Sequence, residues 1–283
     1  MGDLTWRPPS RLTYALTATS VAVVAVVWAV FLQWGGKPSD ARCIYDIDWQ
    51  RLYVLDEYPY AYTPAFAQLT APLRLLDFEA FTAVVRAGEL AALVILAPFA
   101  AWLAVWLPPV ATEINAANIN LMLMLCVVAS LRWPATWLLP LLTKPSMGVG
   151  LLWYVARGEW RKLGIAVGVA GVVALVSLLA TPGLWVEYVA FLTTLSDTPD
   201  WPFPIPVWPR LPIAIALVWW GAKTDRQWAL PAAAIIAMPR LYFLSISMLI
   251  GILPTMRRGS VLAWVRSALR SVHLDAAVGR VRG

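Results

Sequence analysis

The sequence predicts an all-α, polytopic integral membrane protein. Of its 283 residues, 60% are hydrophobic and only 13% are charged, whereas about a quarter of the residues in a soluble domain are charged. The mean hydropathy is +0.69, and apolar runs such as residues 12–34 are long enough to cross a bilayer as a helix. This composition excludes a soluble enzyme, a disordered chain and a nucleic-acid-binding module.

Apolar segments divide the chain into about ten candidate spans. The first follows Arg7 and Arg11 and lacks a small-residue cleavage site, so we interpret it as a retained anchor rather than a signal peptide. Several later segments are shorter than the roughly 20 residues of a straight crossing, and we expect neighbouring helices to enclose them. The predicted spans are 12–34, 63–76, 80–107, 119–131, 135–143, 147–156, 163–181, 211–221, 228–238 and 241–253.

The charge distribution predicts that both termini are cytoplasmic. With ten spans, the inner segments carry 15 basic and six acidic residues, and the outer segments carry six basic and nine acidic residues, in agreement with the positive-inside rule. The chain is then a single transmembrane domain over 1–283. It has a cytoplasmic N-terminus at 1–11, long outer loops at 35–62 and 182–209, and a basic cytoplasmic tail at 256–283. Long loops are usually functional, and we expect the active site in the first.

Carboxylates and aromatic rings fill the first outer loop, immediately before a span. A carboxylate at this position suits a general base acting on a hydroxyl, and aromatic faces suit a sugar platform. The alternative is a solvated acidic loop anchored by interfacial Trp and Tyr side chains. The candidate residues are Asp40, Asp46 and Asp48, with Tyr45, Tyr58 and Tyr62.

Four polar residues interrupt the apolar runs between positions 108 and 123. They cannot all face lipid without a large free-energy cost, so most of them must face a cavity or one another. Helix capping is the alternative, because Asn is a common N-cap. These residues are Glu113, Asn115, Asn118 and Asn120.

Three basic residues lie beside prolines at the predicted outer ends of spans, against the positive-inside pattern. They are Lys144, Arg210 and Arg240. A lipid-linked phosphate is a suitable anionic partner for them, and snorkelling to lipid headgroups is the alternative. Arg86 and Glu89, three residues apart on one span, are predicted to neutralise each other, because such residues share a helix face.

Other chemistries have little support in the sequence. Its one histidine, His273, lies in the basic tail, and it has no clustered thiols and no Gly-rich phosphate loop. Zinc chemistry, serine hydrolysis and nucleotide binding are therefore disfavoured. Asp46 and Asp48 together make only a fragment of a site for a divalent ion, so we predict neither a cofactor nor a metal.

The order of these motifs resembles glycosyltransferase family 87, polyprenol-phosphate-mannose-dependent mannosyltransferases of the GT-C superfamily. The resemblance covers the chain from the first span to the tenth. Its motifs are an acidic residue early in the first outer loop, YPYAYTP at 58–64, EINAANIN at 113–120, LLTKP at 141–145 and RGEWRK at 157–162. The segment DARCIY at 40–45 is similar to the opening of the family's outer loop, which implies that Asp40 is the catalytic base, with Asp46 and Asp48 as close competitors.

The resemblance also implies roles for the other candidates. Lys144 would bind the donor phosphate, with Arg210 or Arg240 assisting, and the tyrosines and the Asn-rich turn would bind the sugar or the acceptor. The chain would be an inverting hexosyltransferase at the outer face of a bacterial plasma membrane. It would transfer mannose from a polyprenyl phosphate to a glycan or glycolipid. Two alternatives stay open: a transporter or lipid flippase that uses Arg86, Glu89 and the Asn-rich turn as a substrate path, and a non-catalytic assembly subunit.

Overall fold

The computed structural model describes residues 11–34, 38–54, 59–98, 100–196 and 205–256. None of these residues forms a β-strand, which confirms the all-α class. The α-helices are α1 (Arg11–Trp34), α2 (Ser39–Tyr45), α3 (Pro64–Thr70), α4 (Phe78–Leu96), α5 (Ala101–Ala104), α6 (Pro108–Ala116), α7 (Asn120–Ala129), α8 (Leu138–Thr143), α9 (Leu152–Arg157), α10 (Trp160–Ala180), α11 (Pro182–Ser196), α12 (Val207–Lys223) and α13 (Ala229–Ile236). Four 3₁₀ segments cover Ala71–Leu75, Pro134–Trp137, Pro145–Leu151 and Phe243–Thr255.

Caps and prolines determine where several of these helices begin. Helix α3 starts with Pro64 after Thr63, whose side chain accepts a hydrogen bond from the Phe66 N–H at 3.3 Å. The Asp77 carboxylate accepts a bond from the Ala80 N–H at 2.7 Å and caps α4. Both side chains satisfy N–H groups that have no partner within the helix. These boundaries therefore follow from local sequence.

Helices α6 and α7 meet at a bend of 106°. Helix α6 ends at Ala116 and is followed by Ala117, which has a φ of 51° and lies in the left-handed region. This conformation is strained for a residue other than glycine, so tertiary contacts must stabilise it. The predicted Asn-rich turn coincides with this bend.

The core packs short helices against one another around α7. Helices α4, α6 and α13 and the 3₁₀ segment Phe243–Thr255 all contact α7 or its immediate neighbours. Helices α12 and α13 pack closely at Gly221, where an added Cβ would lie 2.2 Å from the Ala229 Cβ. Trp137, Phe81 and Met124 are among the largest side chains that are fully buried. The polar residues of the bend therefore lie beside a densely packed interior.

One helix of the described residues is long and apolar enough to cross a membrane. It is α10, with a mean hydropathy of 2.5, and the α6–α7 pair adds a second if the bent pair is counted as one span. Helix α10 exposes apolar side chains such as Val172, Leu175 and Leu179, an outward face that suits lipid. The predicted count of ten spans stays a prediction, because most of the described helices are shorter than a bilayer crossing.

The two predicted outer loops contain helices. The segment predicted as an outer loop over 182–209 begins with α11, and α12 starts within its last residues. This segment is therefore partly helical. The first predicted loop, 35–62, contains α2. Residues 1–10 and 257–283, which hold the start of the predicted N-terminal segment and nearly all of the basic tail, lie outside the described residues.

Candidate functional site

Asp40 lies in the first turn of α2 and is partly exposed. Its Oδ2 atom is buried and has no hydrogen-bond partner among the described residues. The Asn118 side chain lies close enough to hydrogen-bond with the carboxylate, and the Lys144 ammonium also acts on it. One carboxylate oxygen of Asp40 thus has no hydrogen-bond donor among the described residues.

Lys144 lies at a break between α8 and the 3₁₀ segment Pro145–Leu151. Its φ of −131° and ψ of 77° are not helical, as expected for a residue that precedes a proline. Its Nζ donates a hydrogen bond to Oδ1 of Asn120, at the start of α7. The Lys-Pro pair therefore ends α8 at the point where this side chain reaches the bend between α6 and α7.

Thr63 joins the end of the first loop to the same region. Its hydroxyl donates to the Leu142 carbonyl at 2.6 Å, and its backbone N–H donates to the same oxygen at 3.3 Å. Leu142 is two residues before Lys144, so these bonds hold the start of α3 against the end of α8. Sequence reasoning missed this contact. Thr63-Pro64 carried a recognisable helix-start signal, but that signal does not identify a distant partner.

Arg86 and Glu89 both bond to the backbone at the bend between α6 and α7. Arg86 binds the end of α6, and Glu89 binds the start of α7. Arg86, which is 4% exposed, donates from Nε to the Ile114 carbonyl at 3.2 Å and from Nη2 to the Asn115 carbonyl at 2.9 Å. Glu89 is fully buried and accepts the Met122 N–H at 3.2 Å. Arg86 thus satisfies carbonyl groups at the C-terminal end of α6, and Glu89 satisfies an N–H group at the N-terminal end of α7, groups that have no partner within their own helices.

The predicted neutralisation of Arg86 by Glu89 is therefore wrong. Among the described residues no ion pair joins them, since both side chains bond to the backbone of the bend. Spacing along one helix placed the two residues on a shared face. It did not indicate that unpaired backbone groups of two other helix ends would lie between them.

Glu113 and Asn120 form the buried base of the site, and both are 0% exposed. The two carboxylate oxygens of Glu113 accept the backbone N–H of Asn120 at 2.8 Å and its side-chain Nδ2 at 3.1 Å. Asn115 is half-buried, and its carbonyl is taken by Arg86. Asn118 is 6% exposed, and its Oδ1 accepts the Ile119 N–H at 2.7 Å.

The electrostatics of Asp40 and Lys144 are linked. Burial raises the pKa of Asp40, while the Lys144 ammonium and the Asn118 side chain lower it. Burial also lowers the pKa of Lys144, and the carboxylates of Glu113, Asp40 and Glu89 act against this shift. Each group therefore stabilises the charged form of the other in a poorly solvated region.

Of the predicted aromatic residues, Tyr62 lies near Asp40, whereas the Tyr45 hydroxyl bonds to Leu76. Tyr62 is 8% exposed and packs edge-on against Tyr60 and Phe66, with ring centroids 5.5 and 5.2 Å away. Burial, followed by the charges of Cys43 and Asp40, raises the pKa of Tyr62, so this ring lies within electrostatic range of Asp40. Tyr45 points elsewhere and donates from its hydroxyl to the Leu76 carbonyl at 3.0 Å. Tyr58 lies outside the described residues.

The competing aspartates lie on the exposed side of the first loop. Asp46 pairs with Arg42 at 3.0 Å, and Asp48 accepts the Gln50 N–H at 2.9 Å. Both line a polar cavity of about 210 Å³ that also includes Cys43, Arg51 and Tyr60. Neither of these aspartates contributes to the electrostatics of Lys144, which distinguishes both of them from Asp40.

The two predicted phosphate-binding arginines lie apart from this cluster. Arg210 is 8% exposed, and its guanidinium binds the carbonyls of Ile205, Pro206, Ile236 and Pro239 at 3.0–3.1 Å. It joins the start of α12 to the chain that follows α13. Arg240 donates to the Tyr242 hydroxyl at 3.3 Å. Within the described part of the chain, no group of three or more His, Cys, Asp or Glu side chains could hold a metal ion.

Comparison with known protein families shows to which family the chain belongs. The model of glycosyltransferase family 87 matches residues 60–272, which include Glu113, Asn118, Asn120 and Lys144 and begin after Asp40. No curated protein and no solved structure matches the chain. Since the family match covers well over half of the sequence, the chain belongs to glycosyltransferase family 87.

Proposed function

We propose that this glycosyltransferase is an inverting enzyme that transfers a hexose, specifically mannose, from a polyprenyl phosphate to a glycan or glycolipid. Membership of the family supports glycosyl transfer. The observation that carries the finer proposal is that Asp40, which has a buried and unpartnered carboxylate oxygen, lies within electrostatic range of the Lys144 ammonium. A base for the acceptor hydroxyl and a cation for the departing phosphate are the two groups that this reaction needs.

The proposed reaction is a single displacement. The acceptor hydroxyl oxygen attacks the anomeric carbon, the bond from that carbon to the phosphate oxygen breaks, and the phosphate leaves with the electron pair. Asp40 takes the hydroxyl proton. Because the lipid phosphate is already a good leaving group, a second carboxylic acid to protonate it is unnecessary. One displacement inverts the configuration at the anomeric carbon.

Lys144 is suited to the leaving group. An ammonium has three N–H donors and no acceptor, and one donor binds Asn120, so two donors remain for phosphate oxygens. Negative charge on the phosphate increases as the bond breaks, and a fixed cation in a poorly solvated site stabilises that charge more than water does. Arg210 is 8% exposed and its guanidinium binds four backbone carbonyls, so we assign it a structural role rather than phosphate binding.

An apolar cavity beside α6, the helix that carries Glu113, suits a lipid donor. It has a volume of about 260 Å³ and lies between the start of α6 and the 3₁₀ segment Phe243–Thr255, with Leu107, Val110 and Ile250 in its lining. Glu113 is three residues after Val110 on α6, a rise of about 5 Å at 1.5 Å per residue. An isoprenoid chain in this cavity would therefore bring its phosphate toward the buried polar site.

The transporter alternative is less well supported. It assigned Arg86 and Glu89 to a substrate path, but both side chains bind backbone groups at the bend. A substrate that displaced them would expose the unpaired ends of α6 and α7. Their burial and bonding therefore favour a fixed scaffold beneath an active site.

The proposal is tested with purified protein in nanodiscs and a glycolipid acceptor mixture. Radiolabelled polyprenyl-phosphate mannose, glucose and arabinose are supplied separately. We expect the acceptor to be labelled from the mannose donor, with the anomeric configuration opposite to that of the donor. Retention of configuration would contradict the single displacement, and labelling from arabinose alone would contradict a hexose donor. If all three donors failed with folded protein, the transferase proposal would be rejected in favour of transport or assembly.

A further inference from the structure

A chain of hydrogen bonds connects three helices beneath the proposed site. Glu113 on α6 accepts two bonds from Asn120 at the start of α7, at 2.8 and 3.1 Å. The Oδ1 atom of Asn120 accepts the bond from Lys144, which lies after α8. Glu113 and Asn120 are fully buried. No bulk water can therefore replace the bonds between them.

Glu113 determines which way the Asn120 amide points. A carboxylate accepts hydrogen bonds and an ammonium donates them, whereas an amide can do either at its two ends. With Glu113 on one side, Asn120 must direct Nδ2 toward it and Oδ1 toward Lys144. The orientation of the amide and the position of the ammonium thus follow from one buried carboxylate.

Burial leaves little of these two residues for a sugar to contact. Both are 0% exposed, and the two oxygens of Glu113 and the backbone N–H, the Nδ2 and the Oδ1 of Asn120 already take part in hydrogen bonds. Direct sugar or acceptor binding, which the sequence predicted for both residues, would require this buried network to open. Lys144 and Asp40, which are both partly exposed, are accessible to substrate instead.

We propose that Glu113 is a positioning residue: through Asn120 it directs the Lys144 ammonium toward the phosphate of the donor. The inference rests on the proposed function for the identity of that phosphate. It assigns a task to a buried acid that does not touch substrate. Arg86 and Glu89 complete the arrangement because they fix the ends of α6 and α7 that carry Glu113 and Asn120.

A polarity swap tests the proposal. In Glu113→Gln one oxygen remains for the two N–H donors of Asn120 that Glu113 accepts. With that oxygen on the backbone N–H, which cannot turn, the new Nε2 faces the Nδ2 of Asn120, so the Asn120 amide must turn and Lys144 loses its acceptor. In Asn120→Asp a second carboxylate faces Glu113. The double variant Glu113→Gln/Asn120→Asp restores the chain of bonds, since the new amide at position 113 donates to the new carboxylate at position 120, and that carboxylate accepts from Lys144. It also keeps one carboxyl and one amide group in the network.

The assay measures transfer at varied donor and varied acceptor concentrations. We expect kcat/KM for the donor to fall about 10- to 100-fold in each single variant, the equivalent of one or two lost hydrogen bonds, with the acceptor KM unchanged. The double variant should return to within about threefold of wild type, a small loss for a network with its bonds restored. A double variant no faster than the worse single variant would overturn the proposal, as would full activity in Glu113→Gln or a raised acceptor KM that the double variant does not correct.

Thermal unfolding of the same four proteins is independent of the reaction. Restored bonds predict that the double variant melts higher than either single variant, including the case in which a single variant does not fold. A double variant no more stable than the worse single variant would refute the hydrogen-bond chain. If wild type transfers no sugar while the melting temperatures show compensation, the proposed function fails and the positioning of Lys144 stands.

Discussion

Replacing Arg86 by methionine should destabilise the protein by about 3–6 kcal/mol, because two hydrogen bonds from a charged group are lost at about 1.5–3 kcal/mol each. The bonds go to the Ile114 and Asn115 carbonyls at 3.2 and 2.9 Å. The side chain is 4% exposed, so water cannot replace them. Methionine keeps the apolar stem in place, and the loss therefore reports on the guanidinium.

The assay is thermal unfolding in detergent, where a loss of this size lowers the melting temperature by on the order of 10 °C for a chain of this length. Arg42→Met is the matched control. Arg42 is exposed and pairs with Asp46 four residues along the chain, so its replacement should cost within about 1 kcal/mol. Equal melting temperatures for the two variants would refute the capping role of Arg86.

The double variant Arg86→Met/Glu89→Gln separates capping from mutual neutralisation. If the two charges neutralised each other, removing both would recover most of the loss, because no buried charge would remain unpaired. In the capping arrangement the new amide at position 89 still accepts the Met122 N–H, and the carbonyls of α6 stay unpaired. We expect the double variant to be no more stable than Arg86→Met.

Three further results are expected. The transfer rate should rise with pH through the ionisation of Asp40, above the ordinary aspartate value of about 4, because burial raises this pKa and only the carboxylate accepts a proton. At alkaline pH the rate should fall again as Lys144 loses its charge. Because burial lowers the pKa of Lys144, this decrease should begin at a lower pH than the ordinary lysine pKa of about 10.4 would give. Lys144→Arg should lack that alkaline decrease, and an unchanged decrease would contradict the role of Lys144. Thr63→Val, which removes the 2.6 Å bond to Leu142, should cost about 1–2 kcal/mol in thermal unfolding. Thr143→Val, whose hydroxyl bonds within its own helix, should cost less, and the reverse order would refute the link. Gly221→Ala should destabilise by about 1–3 kcal/mol through overpacking, because its Cβ would lie 2.2 Å from the Ala229 Cβ. Gly171→Ala, with open space around it, should be neutral or stabilising, and equal losses in both would contradict the α12–α13 packing.

Local sequence predicted the helical class and several helix boundaries. Apolar composition indicated helices, and Thr63-Pro64 and Lys144-Pro145 marked a helix start and a helix break that the structure contains. The segment 182–209 was predicted as a long outer loop because it joins two candidate spans, and α11 forms its first part. Pro182 lies at the first position of that helix, where proline is favourable, so the helix start was recognisable within the predicted loop.

Part of the site was also predictable. A lysine beside a proline, an Asn-rich turn and an acidic outer loop are each unusual in an apolar chain, and Asp40, Asn118, Asn120 and Lys144 do lie together. Their partners were not predictable. The bonds of Arg210 to four carbonyls and of Glu113 to Asn120 depend on where distant helix ends lie, which residue spacing along one helix does not specify.

The most direct test of the account compares sugar transfer by wild type with that by Asp40→Asn, Asp46→Asn and Asp48→Asn in folded, purified protein. Asparagine keeps the shape of the side chain and cannot take the proton of the acceptor. We expect Asp40→Asn to lose transfer by about 10²- to 10⁴-fold, the usual contribution of a general base, while the two exposed aspartates are dispensable. Full transfer by Asp40→Asn, with loss in Asp46→Asn or Asp48→Asn, would contradict the account.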